Sequence, residues 1–366
     1  MSEEILINVT PMEARVAMIE NGVLQEVHIE RTQRRGIVGN IYKGKVVRVL
    51  PGMQAAFVEI GLQRAAFLPL DEMKTASGEP AESISNVLQE GQLIVVQVTK
   101  DPIGTKGARL TTFLSLPSRY LVFMPGNEHV GVSLRIEDEA ERERLKELVN
   151  QCLSSEDITD GGGYIIRTAA ESAGEAEMLA DIRYLQRLWE QVQEQIRNTA
   201  SCCLLYEDLS LPMRTLRDFV SERTEKIRID SRETLQKAMR FVTELMPERA
   251  DCIEHYPGER PIFDLYNVED EIQSALQARV PLKSGGYLLI EPTESMTTID
   301  VNTGAFVGHR NLEETIFKTN LEAAMAIARQ LRLRNLGGII IIDFIDMHDE
   351  EHRRQVLRTL ERQLES

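Results

Sequence analysis

Residues 39–70, GNIYKGKVVRVLPGMQAAFVEIGLQRAAFLPL, decide how the front of this chain folds. Apolar and polar residues alternate in short runs, and glycines at 39, 44, 52 and 61 punctuate them. Period-two alternation between glycine breaks marks short strands rather than helices. Two runs of the same texture follow, EGQLIVVQVTK at 90–100 and ARLTTFLSL at 108–116, and the polar stretch Asp71–Asn86 reads as a loop. Many short strands in so little chain predict a small closed or nearly closed barrel over residues 39–118. Upstream, residues 4–30 alternate around Glu20-Asn21-Gly22, which predicts two or three antiparallel strands with an Asn-Gly turn.

Beyond the barrel the texture becomes mixed. LVFMPG (121–126) and GGYIIRTAA (162–170) read as strands, and Gly161-Gly162-Gly163 as a flexible turn. Residues 136–152 and 173–198 carry helical periodicity, the second around Trp189. Residues 210–280 alternate helices with short strands such as KIRID and ADCIEHYP. The segment from 285 onward reads strand, strand, long helix, strand, helix, with GYLLIEP, MTTIDVNTG and IIIIDFIDM as the strands. The last residues, EEHRRQVLRTLERQLES, lie in a helical run with no capping signal, so the natural sequence is expected to continue past Ser366.

At 366 residues the chain is long enough for two or three cored domains. Its 42 basic and 58 acidic residues give a net charge of −16, which argues against a protein that coats nucleic acid indiscriminately but leaves room for a local site. No apolar run approaches the ~18 residues of a spanning helix, and MSEEILINVTPMEARV is too acidic and polar for a secretory signal. Cysteines at 152, 202, 203 and 252 lack CxxC spacing; the vicinal pair is expected as buried thiols, and the compartment as the cytoplasm.

Four groups of residues could carry chemistry. GKVVRVLPGMQAAFVEIG (44–61) resembles the signature of the S1-type OB fold, which binds single-stranded RNA. Phe57 and Phe67 stand on successive strands, where both rings could face one side and stack on bases, and Lys106 in GTKGARL could meet phosphate. The alternative is that both rings fill the barrel core. Gly36–Pro117 holds eight basic and seven acidic residues, which makes it the least repulsive part of the chain for RNA. In MTTIDVNTG, Asp300 and Asn302 share a strand face. IIIIDFIDM is expected to be a strand buried on both faces, ending in Asp343 and Asp346. Those two lie three residues apart and point to opposite faces, so only one can join Asp300. Two strand-end carboxylates beside an amide make a minimal Mg²⁺ site for phosphodiester hydrolysis; the alternative is a pair of strand-end caps. Arg167 and Thr168, after YIIR, could hold a phosphate or be an ordinary strand end. His348 and His352 stand at i, i+4, among charged neighbours that favour a solvated helix face. P-loop, GxSxG and zinc-ligand spacings are absent from the sequence.

With these residues in view, the chain resembles the catalytic region of the ribonuclease E/G family over its whole length. INVTP (7–11), residues 29–68, TKGARLTTFLSLPSRYLV (105–122), IIRTAA (165–170), IDVNTG (299–304) and residues 313–347 carry the resemblance. The implied fold is an α+β, multi-subdomain one. An RNase H-like part (1–38) is interrupted by an S1-type OB barrel (39–118) and a 5′-sensor (119–212). A second RNase H-like part (213–280) follows, then a DNase I-like catalytic subdomain (281–366) that is incomplete here. Matched motif by motif, the resemblance implies Mg²⁺ on Asp300 and Asp343, with Asn302 beside them. It also implies RNA contacts at Phe57, Phe67 and Lys106, and a 5′-monophosphate pocket at Arg167 and Thr168. The implied activity is endonucleolytic cleavage of single-stranded, AU-rich RNA with a 5′-monophosphate end, in ribosomal RNA processing and mRNA decay, leaving 5′-phosphate and 3′-hydroxyl ends. A cysteine pair sharing Zn²⁺ across a homodimer would lie beyond Ser366.

Overall fold

The computed structural model describes residues 2–73, 83–127, 129–155, 162–171, 173–200, 202–303 and 312–365. Two compact units emerge, one of Met1–Ile29, Ser221–Leu235 and Cys252–Ser366, the other of Glu30–Val220 and Gln236–Asp251.

The first unit holds two sheets. In the five-stranded one the order is Ile253–His255, Thr224–Ile229, Glu3–Val9, Glu13–Glu20, Val23–Arg31. Glu3–Val9 runs antiparallel to Glu13–Glu20 and parallel to Thr224–Ile229, so segments more than 200 residues apart share one sheet. Asn21 and Gly22 take positive φ of 48° and 77°, the backbone of a two-residue hairpin turn, as Asn-Gly predicts. The four-stranded sheet orders Arg279–Pro281, Tyr287–Pro292, Met296–Asn302 and Ile339–Asp343. One of its faces packs Leu288, Ile290, Ile299 and Val301 against Ala323, Ala324 and Ile327 of the helix Leu312–Leu333 and Val356 and Leu360 of the helix Glu350–Glu365.

The isoleucine run departs from expectation. Ile339–Asp343 is an edge strand with one face covered: Ile340 and Ile342 join the core, while Ile339 is 61% and Ile341 50% exposed. Four consecutive isoleucines report strand propensity, but whether both faces are covered depends on how many layers the tertiary fold supplies.

In the second unit, Ile41–Leu50, Ala55–Glu59, Ala66–Pro69, Arg109–Thr111 and Leu93–Lys100 form a barrel that closes where Leu93–Lys100 also pairs with Ile41–Leu50. Cys203–Tyr206 adds to the outside of Ile41–Leu50. The barrel core is Val46, Ala56, Val58, Ala66, Leu68, Val96, Val98 and Leu110 with their neighbours. A four-stranded sheet, Val130–Val132, Gly162–Ile166, Leu121–Pro125 and Leu116–Pro117, packs with the helices Glu139–Ser155 and Glu175–Asn198 around Phe123, Tyr164 and Trp189.

Smaller expectations are corrected here as well. Gly162 and Gly163 are strand residues, not a flexible turn; a Cβ would fall 2.0 Å from the Phe123 ring at Gly162 and 2.5 Å from the His129 carbonyl at Gly163. Gly161 lies outside the described residues. Cys202 and Cys203 are half-buried rather than buried. His348 precedes the final helix, and His352 stacks on Phe317 with centroids 4.0 Å apart, so the two do not share a helix face. Among the described residues no helix is long and apolar enough to cross a membrane.

Candidate active site

The strand Met296–Asn302 alternates strictly. Thr297, Ile299 and Val301 are buried against the helices, which leaves Thr298, Asp300 and Asn302 on the open face. Ile339–Asp343 runs parallel beside it in a register that sets Asp343 directly against Asp300. Parallel neighbours in register point the same way, so the two carboxylates stand side by side on the open face, one strand spacing of about 4.8 Å apart at the backbone. Asn302 Nδ2 donates to Asp300 Oδ2 at 2.8 Å and fixes that carboxylate's orientation. Asp346 lies beyond the strand end, exposed and outside the pair.

The segment after Asp343 is clamped by a residue that sequence reading passed over. Asn320, fully buried on the helix Leu312–Leu333, donates from Nδ2 to the Ile345 carbonyl at 2.8 Å and accepts from the Ile345 amide at 3.2 Å. An amide on the apolar face of a long helix is the signal that could have revealed it, since a buried side-chain amide needs partners.

Two adjacent carboxylates on an open face are hard oxygen donors with room around them. That suits a small divalent cation that keeps several waters, rather than a closed cage or a thiolate and imidazole site. Among the described residues no group of three or more His, Cys, Asp or Glu is placed to hold a metal ion.

On the barrel, alternation puts Ala56, Val58, Ala66 and Leu68 inside and leaves Phe57 and Phe67 out of the core. The two phenylalanines are direct cross-strand partners, their rings 6.0 Å apart and edge-on at 65°. Arg48 is the register partner of Phe57 on one side, and Arg109 of Phe67 on the other. The reading of both rings as barrel core is therefore excluded. They form an outward aromatic pair flanked by guanidinium groups, a surface on which unstacked bases could rest. Lys106 is exposed at the turn closed by the Ile103–Lys106 bridge, where Arg64 Nη1 donates to the Gly104 carbonyl at 2.8 Å.

Arg167 ends the strand Gly162–Ile166, and its Nη1 donates to the carbonyls of Ser118 (2.6 Å) and Arg119 (3.3 Å) and to Asp218 Oδ1 (2.8 Å). Asp218 also accepts from Arg217. Burial pushes the Asp218 carboxyl up, but the hydrogen bonds and charges of Arg217 and then Arg167 outweigh it and hold the group below the usual carboxylate range. Thr168 Oγ1 lies 3.5 Å from Ser133 Oγ. Behind these residues, the buried Asp181 accepts from Ser118 Oγ and from the amides of Tyr120 and Leu121 at 2.8–2.9 Å. It thereby orders the loop whose carbonyls hold Arg167. Burial raises its pKa to about 6 in spite of those donors. Neither Asp218 nor Asp181 was legible as part of this cluster, because they reach it from 51 and 60–63 residues away.

The profile of the Ribonuclease E/G family matches residues 115–366, and that of the S1 RNA binding domain matches residues 37–111. With the carboxylate pair and the barrel inside those two stretches, the chain belongs to the ribonuclease E/G family. It is similar to the Ribonuclease G of Escherichia coli strain K12, at 58% identity over 373 residues, covering 100% of this chain and 75% of the relative. The Ribonuclease G of Haemophilus influenzae is likewise 58% identical over 367 residues, 98% of this chain and 74% of the relative. The Ribonuclease E of Escherichia coli K12 is 40% identical over 365 residues, 97% of this chain but 34% of that longer protein.

Proposed function

We propose that this endoribonuclease hydrolyses single-stranded RNA at the open face bearing Asp300, Asn302 and Asp343, with Mg²⁺ held by the two carboxylates. The observation that carries the reading is the register match of Asp300 and Asp343, two anions set side by side on the open sheet face with an amide orienting one of them. Adjacent like charges are costly unless a cation offsets them. A bound divalent cation would supply charge neutralisation at the scissile phosphate and a water acidified for attack. The chain's own part is positional. Asp300 and Asp343 fix where the phosphate's charge is met, Asn302 holds the Asp300 oxygen, and Asn320 holds the strand end that carries Asp343.

Water attacks phosphorus and the 3′ oxygen departs with a proton, leaving 5′-phosphate and 3′-hydroxyl ends. Phe57 and Phe67 stack on unpaired bases, Lys106 meets the backbone, and duplexes are rejected because paired bases cannot reach the rings. AU-rich sites are preferred because weak pairing leaves them open. Arg167 and Thr168 bind a 5′-monophosphate, whose charge of about −1.5 to −2 suits a guanidinium fork. The substrates in this reading are ribosomal RNA precursors and mRNA, processed in the cytoplasm, with a homodimer or larger assembly proposed for the full-length protein.

The test is incubation of the chain with 5′-monophosphorylated single-stranded RNA, with and without Mg²⁺. Cleavage that needs the metal and vanishes in Asp300→Asn and Asp343→Asn supports the reading. RNA binding without cleavage would make the chain a binding module.

A further inference from the structure

The open sheet face carries more than the carboxylates. Cross-strand register places Leu289 beside Asp300 and Arg279 beside Leu289, so Arg279, Leu289, Asp300 and Asp343 form one row across four strands. The adjacent row runs Pro281, Tyr287, Asn302. Arg279 is exposed, and its guanidinium carbon sits 4.0 Å from the centre of the Tyr287 ring, stacked on the residue that neighbours Asn302. The Arg279 guanidinium makes no hydrogen bond or ion pair with any described residue, whereas Arg15, Arg167, Arg217, Arg228 and Arg329 all pair with carboxylates.

A guanidinium lying flat on an aromatic ring keeps its N–H groups at the rim, in the plane that suits phosphate oxygens. The stack also restricts the side chain before any ligand arrives, so less freedom is lost on binding. Arg279 stands two strand spacings, about 10 Å, from Asp300 at the backbone. At the opposite edge of the same face, Ile339 and Ile341 are at least half exposed. Glu291, at the far end of the same face beside Thr298, adds charge of the opposite sign, so the attraction for an anion is confined to the Arg279 corner.

We infer that Arg279, held by Tyr287, is a substrate-positioning residue that binds an RNA phosphate flanking the one to be cut. The occupant of this face is the single-stranded substrate, since a polyanion matches both the unpaired guanidinium and the neighbouring cation site. The inference rests on the proposed placement of cleavage at Asp300 and Asp343. It makes Arg279 the element that sets the strand's path across the sheet.

Binding of a short single-stranded RNA, measured in EDTA so that no cleavage intervenes, is compared for the wild type, Arg279→Ala, Arg279→Lys and Tyr287→Leu over a range of salt. Arg279→Ala is expected to raise Kd about 3- to 10-fold and to reduce the slope of log Kd against log salt by about 0.7, the value for one phosphate contact on a single strand. Arg279→Lys should keep the slope, and Tyr287→Leu should weaken affinity with the slope retained. With Mg²⁺ added, Arg279→Ala should raise KM more than it lowers kcat. An unchanged Kd and slope in Arg279→Ala, with an unchanged melting temperature, overturns the inference. Continued cleavage by Asp343→Asn would instead overturn the proposed active site, and the binding data would then assign Arg279 to RNA recognition alone.

Discussion

The barrel wall around Phe57 and the sheet around Asp300 obey one rule and use it differently. In both, alternate residues fill a core and the others face outward. On the barrel the outward pair is two rings joined by direct cross-strand pairing within one hairpin, ten residues apart in sequence. On the sheet the outward pair is two carboxylates 43 residues apart, joined by a parallel ladder across a helical crossover. Stacking depends on exposed area and tolerates small displacements, so a local hairpin suffices. Metal chemistry depends on where two oxygens meet, so it needs a register that long-range packing enforces. A one-residue slip of Ile339–Asp343 would turn Asp343 into the helix layer and bring an isoleucine out.

The largest expected effect breaks the sheet's side of this comparison. Asp300→Asn and Asp343→Asn should each lower kcat for RNA cleavage by a factor on the order of 10² or more, as loss of a ligand to a hard cation misplaces the attacking water. Asp346→Asn should stay within a few-fold of wild type. Single-turnover kinetics on one labelled RNA decides it, and a more damaging Asp346→Asn would contradict the pairing of Asp343 with Asp300.

A third carboxyl sharpens the contrast, because it is buried where the other two are open. The folded-state pKa of Asp181, about 6, lies above its ordinary value of 3.8. Its contribution to stability is therefore complete below about pH 4 and is lost as the pH rises through 6, by about 3 kcal/mol for two units. Thermal melts of wild type and Asp181→Ala at pH 4.5 and 7 should show the variant less stable at both, because Ser118, Tyr120 and Leu121 lose their acceptor. The deficit should be larger at the lower pH. A deficit equal at the two values would mean that the carboxyl titrates in its normal range.

Phe57→Ala tests the barrel's side. It should weaken single-stranded RNA binding by about 1–3 kcal/mol, while Val58→Ala, one residue along and inside the core, should lower the melting temperature with little effect on affinity once folded. If the two variants exchange phenotypes, the ring is core and the face assignment fails.

The smallest effect concerns Arg167. Arg167→Ala should slow cleavage of 5′-monophosphorylated RNA several-fold and leave 5′-hydroxyl RNA nearly unchanged, measured as the ratio of kcat/KM for the two substrates. Equal slowing of both would assign Arg167 to the loop it already holds through Ser118, Arg119 and Asp218.

What the amino-acid sequence determined by itself is whatever depends on neighbours in the chain. Period-two alternation placed Asp300 with Asn302 on one face, and Asn21-Gly22 specified its hairpin, because pleat and turn chemistry act over a few residues. The long motif runs carried the family. Tertiary structure decided which of Asp343 and Asp346 meets Asp300, because that is a question of register between strands separated by a helix. It made the isoleucine strand an edge with one covered face, since the number of layers is not a local property. It also brought Asn320 to Ile345, Asp218 and Asp181 to the Arg167 cluster, and Arg279 onto Tyr287. Each of these is a side-chain contact, to another side chain or to backbone, that only the packed chain brings within a few ångströms, so no local pattern could announce it.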